Sequence, residues 1–203
     1  MSKIKENSGV LVQGHIKIHD PESGAVFVNK RNAIHYENMS IALAESVANQ
    51  GQGFISSMAF GNGGTSVDPT GIITYLTPNS TGTNASLYNQ TFTKIVDDRS
   101  VSNLDPQRNK IETRHVNGTN YTDVVVTCLL DYGEPNGQDA TDTASASDSL
   151  YVFDELGLTS YASSGTGKLL THVIFHPVQK SLNRLIQIDY TVRVQSLTGF
   201  NEG

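Results

Sequence analysis

Five groups of side chains along this 203-residue chain have the composition of chemical sites. Gly61-Asn-Gly-Gly64 follows a strand-like run and has the glycine density of a phosphate loop. Its surroundings argue against that use. No helical pattern follows it, no third glycine stands at the dinucleotide spacing, and no Gly-Lys-Ser/Thr is present. The stretch reads as a turn. His15 and His19 are four residues apart, as are His172 and His176. Both pairs fall on predicted strands, where four residues span roughly 13 Å. That is too far for two ligands that each hold a zinc at about 2 Å. A metal would need one histidine from each pair, or copies around a symmetry axis, so no metal ligand is assigned.

Glu134, Asp139, Asp142 and Asp148 scatter acid along one loop. A calcium loop needs a tighter spacing of oxygen ligands and a closing glutamate, so these read as solvated. Asp154 and Glu155 are adjacent. Paired carboxylates perform acid–base chemistry, but neighbours on a strand point to opposite faces, which favours polar residues of a turn or an interface. No Gly-x-Ser-x-Gly, His-Glu-x-x-His or Cys-x-x-Cys occurs. The expectation is a protein that is not an enzyme, with no catalytic residue, no cofactor and no metal.

The elements that position these residues are mostly strands. In Leu185–Gln195, Ile186, Ile188, Tyr190, Val192 and Val194 fall on one face and polar residues on the other. This is the period-two signature of a strand with one wall in a core. At about 3.3 Å per residue it spans roughly 35 Å. Leu169–Phe175 is a second apolar run, and Pro177–Asn183 joins the two as the loop of an antiparallel hairpin. Val10–His19 alternates in the same way, with Val12, Gly14, Ile16 and Ile18 on one side and Gln13, His15, Lys17 and His19 on the other. Asp20-Pro-Glu-Ser-Gly24 turns it into Ala25–Asn29, since Pro21 presets φ and Gly24 accepts φ > 0. Phe54–Phe60, Leu87–Val96, Ile111–Val116, Tyr121–Leu130 and Leu150–Leu158 supply further strands. Asn117-Gly118 is the turn of a hairpin.

One amphipathic helix is predicted over 32–50, with Met39, Leu43 and Val47 on its apolar stripe. Asn32 or Asn38 would cap it and Gly51 would stop it. Residues 97–110 form a polar, charged insertion. Residues 133–149 contain no apolar side chain larger than alanine and cannot offset their own ordering entropy. The predicted fold class is mainly β: an antiparallel β-sandwich with this helix packed on it and long polar loops. The predicted organisation is a flexible or docking tail over 1–9, one domain over 10–195 and a C-terminal tail over 196–203.

Composition narrows the function. Apolar residues are 37% and charged residues 17%, below the usual quarter. Ser, Thr, Asn and Gly take their place, which suits turns and polar protein contacts. A net charge of −6 argues against nucleic acid, which normally needs a basic face. The single cysteine, Cys128, cannot form an internal disulfide and reads as a buried small hydrophobe. No signal-peptide pattern stands at the N-terminus and no run reaches membrane-span length. A cytoplasmic protein with no membrane contact is expected.

Several segments together carry a resemblance. They are Gly14–Val28, Asn32–Ser40, Met58-Ala-Phe-Gly-Asn-Gly-Gly-Thr65, Phe153-Asp-Glu-Leu-Gly-Leu158, and Leu169–Ser181 running into Arg184-Leu-Ile-Gln-Ile-Asp-Tyr190. In order and over most of the chain, this set resembles small structural proteins of tailed bacteriophage virions, from the neck (collar) or tail. The resemblance implies a virion protein assembled in the bacterial host cytoplasm, with no catalytic residues. Its expected place is a neck or collar ring at the portal–tail junction. Its expected partners are copies of itself and the neighbouring portal or adaptor, tail terminator or fibre proteins. Contacts are expected through 1–9, 97–110, 133–149 and 196–203. A tail, baseplate or fibre-adaptor role with carbohydrate binding is the alternative, weakened by the absence of tryptophan and the 7% aromatic content. Head decoration is a third.

Overall fold

A computed structural model describes residues 9–135, 150–164 and 167–197. Two five-stranded antiparallel sheets pack face to face. The first contains β1 (Gly9–His19), β2 (Val26–Arg31), β8 (Lys110–His115), β9 (Tyr121–Leu130) and β12 (Ile186–Leu197), in the order β2-β1-β12-β9-β8. The second contains β3 (Ala33–Ile34), β4 (Ile55–Gly61), β7 (Gln90–Ile95), β10 (Leu150–Ser160) and β11 (Thr171–Ser181), in the order β3-β11-β10-β4-β7. A separate hairpin joins β5 (Thr65–Val67) to β6 (Ile73–Tyr75). The helix α1 (Tyr36–Val47) follows β3. The fold is therefore the expected β-sandwich with one helix.

The core lies between the sheets. From the first come Ile16, Ile18, Val126, Cys128, Ile186, Ile188 and Tyr190; from the second, Met58, Phe60, Phe153, Leu156, Leu158 and Phe175. Phe153 packs edge-on against Phe60 at 5.4 Å and against Phe175 at 5.7 Å between ring centroids, the arrangement that aromatic quadrupoles favour. The alternation predicted for the last strand holds: Ile186, Ile188, Tyr190 and Val192 are buried. Its opposite face is tied by polar pairs. His19 Nε2 lies 2.9 Å from Asp189, and Arg193 makes a two-pronged contact with Asp123 at 2.7 and 2.8 Å. The Asp20–Gly24 turn also forms as read. Gly24 takes φ +74°, and Asp20 Oδ1 accepts from the N–H groups of Glu22 and Ser23.

Two expectations are corrected. Leu169–Phe175 and Leu185–Gln195 do not form a hairpin, because they lie in different sheets. Both edges of β12 are already occupied, by β1 from Gly9↔Leu197 to His19↔Gln187 and by β9 from Ile186↔Leu130 to Gln195↔Tyr121. A strand has two edges, so β11 pairs with β10 and β3 instead, and the chain crosses between sheets after Ser181. The helix is also shorter than 32–50. Ala33 and Ile34 pair with His172 and Thr171, and Asn32 donates to Ala33 O and Tyr190 Oη. His35 is the N-cap, its Nδ1 accepting from Asn38 N–H at 3.2 Å. Asn49, at φ +54°, lies just past the C-cap Ala48. The core-facing residues of α1 are Asn38, Met39 and Ala42, while Val47 is 89% exposed.

Candidate functional site

The densest polar cluster sits where β10 and β11 meet the glycine turn after β4. Asp154 and Glu155 stand inside β10, not in a turn, and both carboxylates reach the same loop. The β10–β11 register shifts between Phe153 and Glu155, which breaks the simple alternation that would have sent them to opposite faces. Asp154 Oδ1 accepts from Gly64 N–H at 2.9 Å, and its Oδ2 accepts from Thr65 N–H at 2.9 Å and from the Thr65 hydroxyl. Glu155 Oε1 accepts from Gly63 N–H at 3.1 Å and Asn89 N–H at 2.8 Å. Its Oε2 accepts from Tyr88 N–H at 3.0 Å and faces His172 Nε2 at 2.9 Å.

Asn79 N–H donates to His172 Nδ1 at 2.8 Å. A backbone N–H can only donate, so Nδ1 is the bare nitrogen and Nε2 carries the proton toward Glu155. Burial pushes the Asp154 carboxyl up from its ordinary value. Burial also opposes ionisation of Glu155, but His172 and the N–H groups of Asn89 and Tyr88 outweigh it and hold that carboxyl below its ordinary value.

This arrangement binds loops rather than a ligand. The N–H groups of Gly63 and Gly64, which a phosphate would require, are spent on carboxylates. The glycines are there for closeness. A Cβ on Gly61 would lie 2.5 Å from both Asn89 O and Glu155 Oε1. The histidine pairs separate as strand geometry predicts. His172 is buried in the clamp, His176 is exposed beside the Tyr75 hydroxyl at 3.3 Å, and His19 pairs with Asp189. His15 is exposed on β1. Among the described residues, no three His, Cys, Asp or Glu side chains come together as metal ligands would. Of the acidic loop, Glu134 accepts from Lys94 Nζ and from Asp131 N–H at 2.8 Å; Asp139, Asp142 and Asp148 lie outside the described residues.

The insertion 97–110 is a second constellation, built for presentation. Asn103 and Asn109 are buried within it. Asn103 Nδ2 donates to Asp97 O at 3.1 Å and to Asn109 O at 2.9 Å, and its Oδ1 accepts from Asp105 N–H at 3.1 Å. Asn109 Oδ1 accepts from Leu129 N–H at 2.9 Å and so ties the loop to β9. Arg108 bridges Asp105 and Asp131. From this braced frame two aliphatic side chains project, Val101 at 100% and Leu104 at 98% exposure.

Sequence reasoning placed the loop but missed the buried clamp, the inner asparagines and Lys180. That lysine is fully buried and donates to Asp131 O at 3.0 Å and Ser181 O at 2.8 Å. A polar residue at an inward position of a strand was the available signal. Cys128 lies in the core, where burial pushes its thiol up to about 12. Among the described residues, no helix is long and apolar enough to cross a membrane. No family model, no curated protein and no solved structure matches this chain.

Proposed function

We propose that this chain is a structural subunit of a tailed-bacteriophage particle, a ring protein of the neck or collar at the portal–tail junction. Its partners are copies of itself and neighbouring virion proteins, and it works by contact rather than by chemistry. The observation that carries this reading is the pair Val101 and Leu104. Singly exposed apolar residues are ordinary on any surface. Two aliphatic side chains wholly in solvent, three residues apart on a loop braced by two buried asparagines, form a preformed contact. Burying each contributes about 1.5–3 kcal/mol, and a loop already ordered loses little entropy on docking. The segments behind the virion resemblance support the same reading. They coincide with the structural centre: the β1–β2 turn, the cap of α1, the glycine turn and the strands that clamp it.

Rings close through heterologous contacts, in which one surface meets a different surface of the next copy. The test is the mass of the purified full chain by sedimentation, with electron microscopy of the product and of particles. A closed ring that V101D/L104D reduces to monomers is the expected result. A chain that stays monomeric at every concentration and is absent from particles overturns the proposal. A host-surface, sugar-binding role is the second reading, favoured by the exposed rings of Tyr75 and Tyr88, held by His176 and by Thr77 O. Glycan binding by the isolated chain that is lost with Tyr88→Ala selects it.

A further inference from the structure

The insertion and a small hollow stand on opposite flanks of the sandwich. β7 and β8 are the outermost strands of their sheets on one side, and residues 97–110, with Val101 and Leu104, join them there. On the other side the first sheet ends at β2. The second is closed by β3 only at Thr171 and His172, so from Val173 onward that edge of β11 has no strand partner among the described residues. Residues of both edges line a hollow of about 360 Å³. Phe27 of β2 and Pro177 and Val178 of β11 form its apolar part, and His176, Gln179 and Arg184 its polar part. A cavity of about 150 Å³ already admits benzene, so two aliphatic side chains have room.

Charge marks what the hollow takes. Arg184 holds its guanidinium carbon 4.4 Å from the centre of the Phe27 ring. Its Nε meets Asp20 only at 3.4 Å, and its terminal nitrogens find no acceptor among the described residues. A guanidinium stacked on a ring still presents its edge to a carboxylate. The insertion offers one. Asp98 is exposed, makes no ion pair among the described residues, and stands three residues before Val101, within about 10 Å along the chain. Asp105, beside Leu104, is already held by Arg108. Two exposed aliphatic groups with a carboxylate beside them match an apolar hollow with an arginine at its lip.

We propose that the insertion of one copy docks into this hollow on the next, with Val101 and Leu104 against Phe27, Pro177 and Val178 and with Asp98 on Arg184. Donor and receiver occupy opposite flanks of one sandwich, so each copy gives on one side and receives on the other. That is the heterologous geometry from which rings are built. This contact rests on the ring reading and gives it a receiving surface.

The test combines two defects in the full chain. V101D/L104D keeps the hollow, and Arg184→Glu keeps the insertion. Each alone is expected to weaken self-association at least about tenfold. An equimolar mixture is expected to give heterodimers by sedimentation and nothing longer, since one sound contact remains and both free ends are blocked. Gln179→Glu, which leaves the Arg184–Phe27 stack in place, is the second receiver variant and is expected to act as Arg184→Glu does. Asp98→Lys is expected to weaken assembly, and Asp98→Lys with Arg184→Glu to recover it, which misfolding of a single variant could not produce. Receiver variants that assemble like the parent, or a mixture of folded variants that stays monomeric, overturn the proposal and leave the ring reading standing. A parent chain that is monomeric at every concentration removes the ring reading itself, and this contact with it.

Discussion

Glu155 and His172, seventeen residues apart in the chain, face each other at 2.9 Å with neither side chain exposed to solvent. They tie β10 to β11, and through the other contacts of Glu155 they tie both strands to the loops at Gly63 and Tyr88–Asn89. Glu155 leaves none of its acceptor positions idle, and four donors depend on it. Removing the carboxylate leaves His172 Nε2 buried without its acceptor, at a cost of about 1–3 kcal/mol, and unpairs three part-buried N–H groups at a smaller cost each. Glu155→Ala is expected to lower the unfolding free energy by at least about 3 kcal/mol, read from denaturant midpoints at constant slope. A change below about 1 kcal/mol would mean that the clamp does not hold the loops.

The same pair of adjacent carboxylates sets opposite trends in acid. Glu155 has its folded value below its ordinary 4.5. Its contribution is fully present above that pH and is lost as pH falls through the folded value. Asp154 has its folded value above its ordinary 3.8. Its contribution is present below that ordinary value and is lost as pH rises through the folded one. Urea midpoints between about pH 6 and pH 3 are expected to fall for the parent protein, less steeply for Glu155→Gln and more steeply for Asp154→Asn. Parallel curves for all three would refute the assignment.

Gly61 tests closeness without touching charge. A methyl group there meets backbone oxygen and carboxylate at 2.5 Å, and both the Asn89 backbone just before β7 and the Glu155 side chain must shift to relieve it. Gly61→Ala is expected to cost about 1–3 kcal/mol, the usual penalty of overfilling a packed site. Calorimetry reads it directly.

The exposed pair on the insertion should behave in the reverse manner. V101D/L104D removes no buried contact, so its melting temperature is expected to stay within the scatter of ordinary surface changes, about 0.5 kcal/mol. Its sedimentation profile is expected to lose the assembled species. A fall in stability without a change in mass would make the two side chains part of the fold.

Cys128 reports on the core. With its thiol pushed up to about 12 by burial, it is expected to resist a chromogenic thiol reagent in the native protein and to react on unfolding, since only the thiolate is nucleophilic. Rapid labelling under native conditions would show that the sandwich opens locally at β9.

Local patterns settled much of this molecule before any contact was known. The alternation of Ile16 and Ile18, and of Ile186, Ile188 and Tyr190, specified which strand faces are buried, because side chains on a strand repeat every two residues. The Asp20–Gly24 turn was equally legible, because proline and glycine act on their own backbone. The helix was legible in its middle and not at its start, where a pairing of Ala33–Ile34 with β11 overrode local preference. Partner choice was not legible. Whether β11 joins β12 depends on which edges β1 and β9 leave open, a property of the whole sheet. The clamp of Asp154, Glu155 and His172 exists only after β10 and β11 pair with a shifted register and the glycine turn folds against them. Periodicity encodes the direction of each side chain, and only the assembled sheets decide what it meets there.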